Sequence, residues 1–211
     1  TRLFNSYVGA AYNPTLTLAA KVDKEGYTFN KWAENSASGT KYAAGANYTI
    51  SANTTMVATW TPNPYALSFR SNNTNYGTVS STVAAGNVNF GTAITLTASK
   101  KTGCHFVNWT FASGKEPDAY TSGDANSEVI SFTMPSHAVD ATANFAINQW
   151  KGQYYKNDGG ASASGLDGYT TDFVNYGTTY TLLQANDSYI GFSKTGYHLT
   201  GWYKEAAKTN L

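Results

Sequence analysis

Apolar and polar residues alternate along most of this chain at the period of two that a half-buried strand requires. The first such run is Thr15-Leu16-Thr17-Leu18-Ala19. In the next, Tyr27 and Phe29 alternate with Thr28 and Asn30. Tyr48-Thr49-Ile50 predicts a short strand, and Met56, Ala58 and Trp60 share one face of another. Further on, the alternating sets are Tyr65, Leu67 and Phe69, then Ile94, Leu96 and Ala98, then Ile130, Phe132 and Met134. Val139, Ala141, Ala143 and Phe145 complete the series. Trp150, Tyr154 and Tyr155 predict one more strand, ended by the tight-turn signal Asn157-Asp158-Gly159-Gly160. Polar stretches at 35–39, 71–77, 113–126 and 161–168 predict loops. The chain is therefore expected to be mainly β.

One stretch recurs. Gly26-Tyr27-Thr28-Phe29-Asn30-Lys31-Trp32 returns as Gly103-Cys104-His105-Phe106-Val107-Asn108-Trp109 and as Gly196-Tyr197-His198-Leu199-Thr200-Gly201-Trp202. Each copy has Gly first, Phe or Leu fourth and Trp seventh, which marks a repeat protein to be understood one unit at a time. The motif predicts units at 1–62, 63–147 and 148–211. The first is expected to lack its opening strand and the third its closing strand. Thr61-Pro62-Asn63-Pro64 is expected to be a linker, because its prolines interrupt ladder bonding. Limited proteolysis should cut there and near Asn148. Tyr176-Gly177-Thr178 matches Phe90-Gly91-Thr92, so the units share more than the motif. The chain opens at Thr1, in the middle of a repeat-like pattern. It is expected to be a mature segment or a piece of a longer array, with any export signal upstream.

The motif has a physical logic. Gly26, Gly103 and Gly196 each precede a strand, where a turn calls for φ > 0. Phe29, Phe106 and Leu199 should face a core. Trp32, Trp109 and Trp202 lie three residues further on, and in a flat strand they would face the other side. A bulge could bring them back, or the Trp could close the end of a thin core. The second arrangement is the one expected.

Charge and chemistry narrow the picture. Net charge is +1 and charged residues make up 13%, which leaves no electrostatic footprint for nucleic acid. Cys104 is alone, so an intrachain disulfide is excluded, and it stands where the other copies have Tyr27 and Tyr197, which favours packing over reactivity. No apolar run approaches the ~18 residues of a membrane helix. His105 and His198 hold equivalent positions in separate units and His137 lies in a loop, so no metal site is expected from them. The spacing of Asp158, Asp167 and Asp172 fits no calcium loop. Glu116 and Asp118 flank Pro117 in a polar loop and should face solvent rather than act as an acid–base pair. No nucleophile elbow, phosphate loop or His-Glu-x-x-His occurs. No catalytic, cofactor or metal residue is expected. Tyr7, Tyr12, Tyr42, Tyr120, Tyr169 and Tyr189 fall in or near loops and are the residues able to stack on a sugar or enter an interface.

The motif residues resemble the internalin-type B-repeat, also called the Listeria–Bacteroides repeat. The first unit resembles it from Gly26-Tyr27 to Trp60, through Gly39-Thr40-Lys41-Tyr42 and Ala52-Asn53-Thr54-Thr55. The third does so from Tyr154 through Gly159-Gly160 to Trp202-Tyr203. The second, ending in Phe132-Thr133-Met134-Pro135 and Ala143-Asn144-Phe145, resembles the divergent form. The resemblance implies tandem small β-grasp-like modules in an elongated array on secreted or surface-attached bacterial proteins. It implies a stalk or spacer that makes weak adhesive contacts, and no catalytic residues. The alternatives are a carbohydrate-binding module or an accessory domain of a secreted enzyme. Expected partners are a weakly held protein or glycan surface ligand, with no nucleic acid and no membrane span. The incomplete outer units also raise head-to-tail self-association by strand addition.

Overall fold

The computed structural model describes residues 13–152, 154, 173–182, 195–198 and 200–201. The described residues are mainly β and contain no helix, so no helix among them could cross a membrane.

The central part is built from eight strands. They are β6 (Pro64–Ser71), β7 (Gly77–Ser81), β8 (Gly86–Asn89), β9 (Ala93–Lys100), β10 (Cys104–Phe111), β11 (Tyr120–Ser122), β12 (Val129–Thr133) and β13 (Val139–Ile147). One sheet has the order β10-β13-β6-β8 and the other the order β11-β12-β9-β7. β13 and β6 run parallel, with Val139 opposite Leu67 and Ala143 opposite Ser71. The other pairings are antiparallel. Period-two alternation points Ile94, Leu96 and Ala98 inward from β9, Ile130 and Phe132 from β12, and Val139, Ala141, Ala143 and Phe145 from β13. With Leu67, Val88, Trp109 and Met134 they form one buried cluster to which both sheets contribute. Burying each large apolar side chain is worth roughly 1.5–3 kcal/mol, so this cluster dominates the stability of the described residues.

The preceding part is slighter. β1 (Thr15–Thr17) pairs with β4 (Asn47–Thr49), and β2 (Tyr27–Glu34) lies between β3 (Lys41–Tyr42) and β5 (Met56–Pro62). Further along, β14 (Gln149–Trp150) pairs with β15 (Val174–Asn175).

The motif lies at the start of β2 and β10. Each of these strands carries a bulge, where the register shifts between Phe29 and Lys31 and between Phe106 and Asn108. The extra residue turns the following Trp back to the side of the Phe. Ring centroids are then 5.3 Å apart for Phe29 and Trp32 and 5.9 Å for Phe106 and Trp109. The expected end-capping Trp is thus corrected: Trp109 sits inside the core, 2% exposed. On the neighbouring strands Trp60 faces Phe29 and Phe145 faces Phe106, each ring edge-on to its partner.

Two further expectations change. The polar stretch 113–126 contains a short strand, β11, whose Tyr120 pairs with Phe132. The Thr61-Pro62-Asn63-Pro64 segment is not an open linker, since β5 ends at Pro62 and β6 begins at Pro64. Proline is tolerated there because each stands at a strand end, where no ladder donor is needed. Asn63 is half-buried, which removes the ground for expecting cleavage at that point.

Candidate functional site

The motif glycines, with the residues that contact them, form the one construction that the described residues repeat outside a core. Gly26 has φ +74° and is buried. Its carbonyl accepts the Asn63 N–H at 2.9 Å, and the Asn63 carbonyl accepts the Phe90 N–H at 2.9 Å. This short relay lays the Phe90 ring directly on Gly26, where a Cβ would overlap the ring. Tyr27 meets the same ring edge-on at 5.3 Å. The Thr28 hydroxyl donates to Asn63 Oδ1 at 2.5 Å, and the Ser136 hydroxyl donates to Glu25 Oε1 at 2.7 Å.

The second copy repeats the backbone relay. Gly103 has φ +77°; its carbonyl accepts the Asn148 N–H at 2.8 Å, and the Asn148 carbonyl accepts the Tyr176 N–H at 2.8 Å. The Tyr176 ring occupies the space a Gly103 Cβ would need. His105, in the place of Thr28, has Nδ1 2.8 Å from Asn148 Oδ1, so the amide oxygen accepts from the Nδ1–H tautomer. The turns carrying the two rings also match. Thr92 N–H donates to Asn89 O and Thr178 N–H to Asn175 O, each at 3.1 Å, and Gly91 and Gly177 both have φ +77°. Each joint therefore combines a glycine that admits a ring, an asparagine that spans the gap and an aromatic residue from the part of the chain that follows.

The remaining motif residues pack inward. Phe29, Trp32 and Phe106 are half-buried. The indole N–H of Trp32 donates to Ala19 O and that of Trp109 to Ser127 O, each at 2.9 Å, so neither ring buries an unpaired donor. Gly196 is exposed with φ +82°, while Leu199 and Trp202 lie outside the described residues.

The candidate chemical groups do not assemble. Among the described residues no three His, Cys, Asp or Glu side chains converge on a metal position. Cys104 is half-buried at the start of β10. Glu116 and Asp118 are exposed, but Asp118 is engaged: its Oδ1 lies 3.1 Å from His137 Nε2. The backbone hydrogen bond to Ala138 and the Asp118 carboxylate hold His137 above the usual imidazole range, against the downward pull of burial. Burial pushes the Asp140 carboxyl upward, but hydrogen bonds from Arg70 and Ser68 and the charges of Arg70 and Lys115 outweigh it and hold the group low. Of the loop tyrosines, Tyr42 donates to Glu34 at 3.2 Å and lies edge-on to Tyr48, and Tyr120 packs on the central core. Neither is a free stacking platform. Tyr7, Tyr12, Tyr169 and Tyr189 lie outside the described residues, as do Asp158, Asp167 and Asp172.

Sequence reasoning did not assign a role to Asn63, Phe90, Asn148 or Tyr176. A signal was present, since Phe90-Gly91-Thr92 recurs as Tyr176-Gly177-Thr178. A recurring aromatic ahead of a glycine turn, outside the motif, marks a second recurring construction within the unit.

The comparisons with known proteins place the whole construction. The family model of the Listeria-Bacteroides repeat domain matches residues 5–59 and 154–211. The model of the divergent InlB B-repeat domain matches residues 67–149, between those two. No curated protein and no solved structure matches the chain. With two Listeria–Bacteroides repeats flanking a divergent InlB B-repeat, the chain belongs to the Listeria–Bacteroides repeat family.

Proposed function

We propose that the chain is a non-catalytic segment of a bacterial cell-surface or secreted protein, in which small β-grasp-like repeats follow one another as a stalk or spacer and make weak adhesive contacts. The units are those at 1–62, 63–147 and 148–211. The observation that carries this reading is the repeated joint, in which Gly26 receives Phe90 and Gly103 receives Tyr176. A chain devoted to spacing needs neighbouring units tied at defined angles, and two joints that share one backbone relay support that reading.

Small-angle scattering tests the elongated form. A compact globule of 211 residues has a radius of gyration of about 17 Å. The array is expected to exceed that value clearly and to show a rod-like pair-distance distribution. A value near that of the compact globule would overturn the spacer reading. Adhesion is tested separately by adding soluble chain to bacterial or host-matrix surfaces, where binding should be weak and should saturate at high concentration.

A further inference from the structure

The chain enters the central repeat on β6 and leaves it on β13. One residue, Asn63, separates β6 from β5, and one residue, Asn148, separates β13 from β14. Both asparagines are hydrogen-bonded to a motif glycine, so neither junction has slack to stretch. A pull along the chain therefore reaches β6 at Pro64 and β13 at Ile147. These two strands pair in parallel, from Leu67 with Val139 to Ser71 with Ala143. Every other pairing among the described residues is antiparallel. In a parallel pair, tension on the first residue of one strand and the last residue of its partner slides the strands along each other, and all the ladder bonds are loaded together. An antiparallel hairpin held at adjacent ends opens one bond at a time.

Side chains brace this pair. β6 and β13 are the two middle strands of their sheet, and β8 and β10 hold their other edges. Leu67, Val139, Ala141 and Ala143 are buried and shield that face of the ladder from water. On the other face, Asp140 Oδ1 of β13 accepts from Ser68 Oγ at 2.8 Å and from Arg70 Nη1 at 2.6 Å, both on β6. Beyond the last ladder pair, Asn72 closes the end. Its backbone N–H donates to Ala143 O at 3.0 Å and its Nδ2–H to Phe145 O at 3.1 Å. Its Oδ1 accepts the Phe145 N–H at 3.0 Å. The Asn72 amide thus does for Phe145 what one more strand residue would do.

We propose that β6 and β13, braced by Asp140 and Asn72, form a shear clamp through which the central repeat carries tension along the chain. The clamp rests on the spacer reading for its purpose, though not for its test. A radius of gyration near that of a compact globule would strike the spacer and leave the clamp standing. Resistance to a pull is set by the barrier to unfolding along the pulled direction rather than by equilibrium stability. Substitutions on and off the clamp therefore move the two quantities apart.

Single-molecule force spectroscopy of the full chain, held at its two termini, tests this. The central repeat is recognised by the release of roughly 280 Å of chain in one step, at ~3.4 Å per residue. Its rupture force should fall by more than half when the handles are moved to Ala66→Cys and Ala138→Cys, with both pulls made in a Cys104→Ser background. That placement peels apart the neighbouring first ends of β6 and β13 instead of sliding the strands. Under terminal load, Asn72→Ala and Asp140→Ala should each raise the unfolding rate by about tenfold, the worth of one hydrogen bond. Ile130→Val, in the other sheet, should lower the urea midpoint and leave the loaded rate within about twofold, because its contacts persist while the clamp slides. Circular dichroism confirms that each variant is folded. Equal rupture forces for the two handle placements would overturn the proposal, as would clamp variants that change the loaded rate no more than Ile130→Val does.

Discussion

Trp32 and Trp109 hold the same seat in two repeats, yet one is half-buried and the other sealed in a core. The local construction is the same. Each follows a bulge, shares a face with a Phe and lies opposite an alanine, Ala58 for Trp32 and Ala143 for Trp109. The difference lies around the hairpin. β13 is paired on both edges, by β10 and by β6, and its buried side shares a core with a second four-stranded sheet. Among the described residues β5 is paired by β2 alone, and the sheet beside it has two strands. The motif thus supplies a hairpin with an aromatic cluster, and the flanking strands decide whether that cluster becomes a core.

The largest expected effect tests this contrast directly. Trp109→Ala should cost about 3–5 kcal/mol, the usual loss for a large buried aromatic. Trp32→Ala should cost about half as much, since less area leaves water. Urea denaturation of both variants, followed by circular dichroism, reads the two costs, and equal values would break the comparison. At the joint, Gly26→Ala should cost about 1–2 kcal/mol for left-handed backbone, and more for the overlap with Phe90. Phe90→Ala should relieve only the second part, so a double-mutant cycle is expected to show coupling of about 0.5–3 kcal/mol. Strict additivity would mean that the ring does not rest on the glycine.

Two smaller effects separate the repeats by pH. The Asp140 carboxyl is held low in the folded state, so its contribution is present above the unfolded carboxylate range and is lost as pH falls through the lowered folded pKa. Arg70 Nη1 lies 2.6 Å from Asp140 Oδ1 across the β6–β13 pair, so acid should weaken the central repeat through this contact. Arg70→Gln is expected to flatten that acid limb by under about 1 kcal/mol, because Arg70 is well exposed. His137 works in the opposite direction. Its folded pKa is raised, so its contribution is full below the unfolded value near pH 6.5 and disappears as pH rises through the folded one. With Asp118 largely exposed, Asp118→Asn should remove only a few tenths of a kcal/mol. An NMR titration of His137 should show its midpoint fall in that variant, and an unmoved midpoint would discount the pair.

The strands β9, β12 and β13 were legible because one buried face imposes a period of two on the residues themselves. β11 was not, since its three residues, Tyr120 to Ser122, alternate too briefly to stand out from a polar loop. The bulges at Asn30 and Val107 were open to either answer, because register against β5 and β13 decides them and neither partner is nearby in the chain. The joint was half visible: its glycines and its aromatic turns each recurred, but nothing local connects Gly26 with Phe90. Asn63, a single polar residue between two prolines, carried the appearance of a linker while serving as the bridge.

By itself the sequence determined the mainly β class, the three motif copies and the family they resemble. Those follow from alternation and recurrence, which are properties of order along the chain. The tertiary structure alone decided that the same hairpin is buried in one repeat and half-open in another, and that Gly26 and Gly103 each seat a ring from the part of the chain that follows. Burial and contact depend on which distant strands share an edge or a face, and residues that meet only through such pairing leave no local pattern.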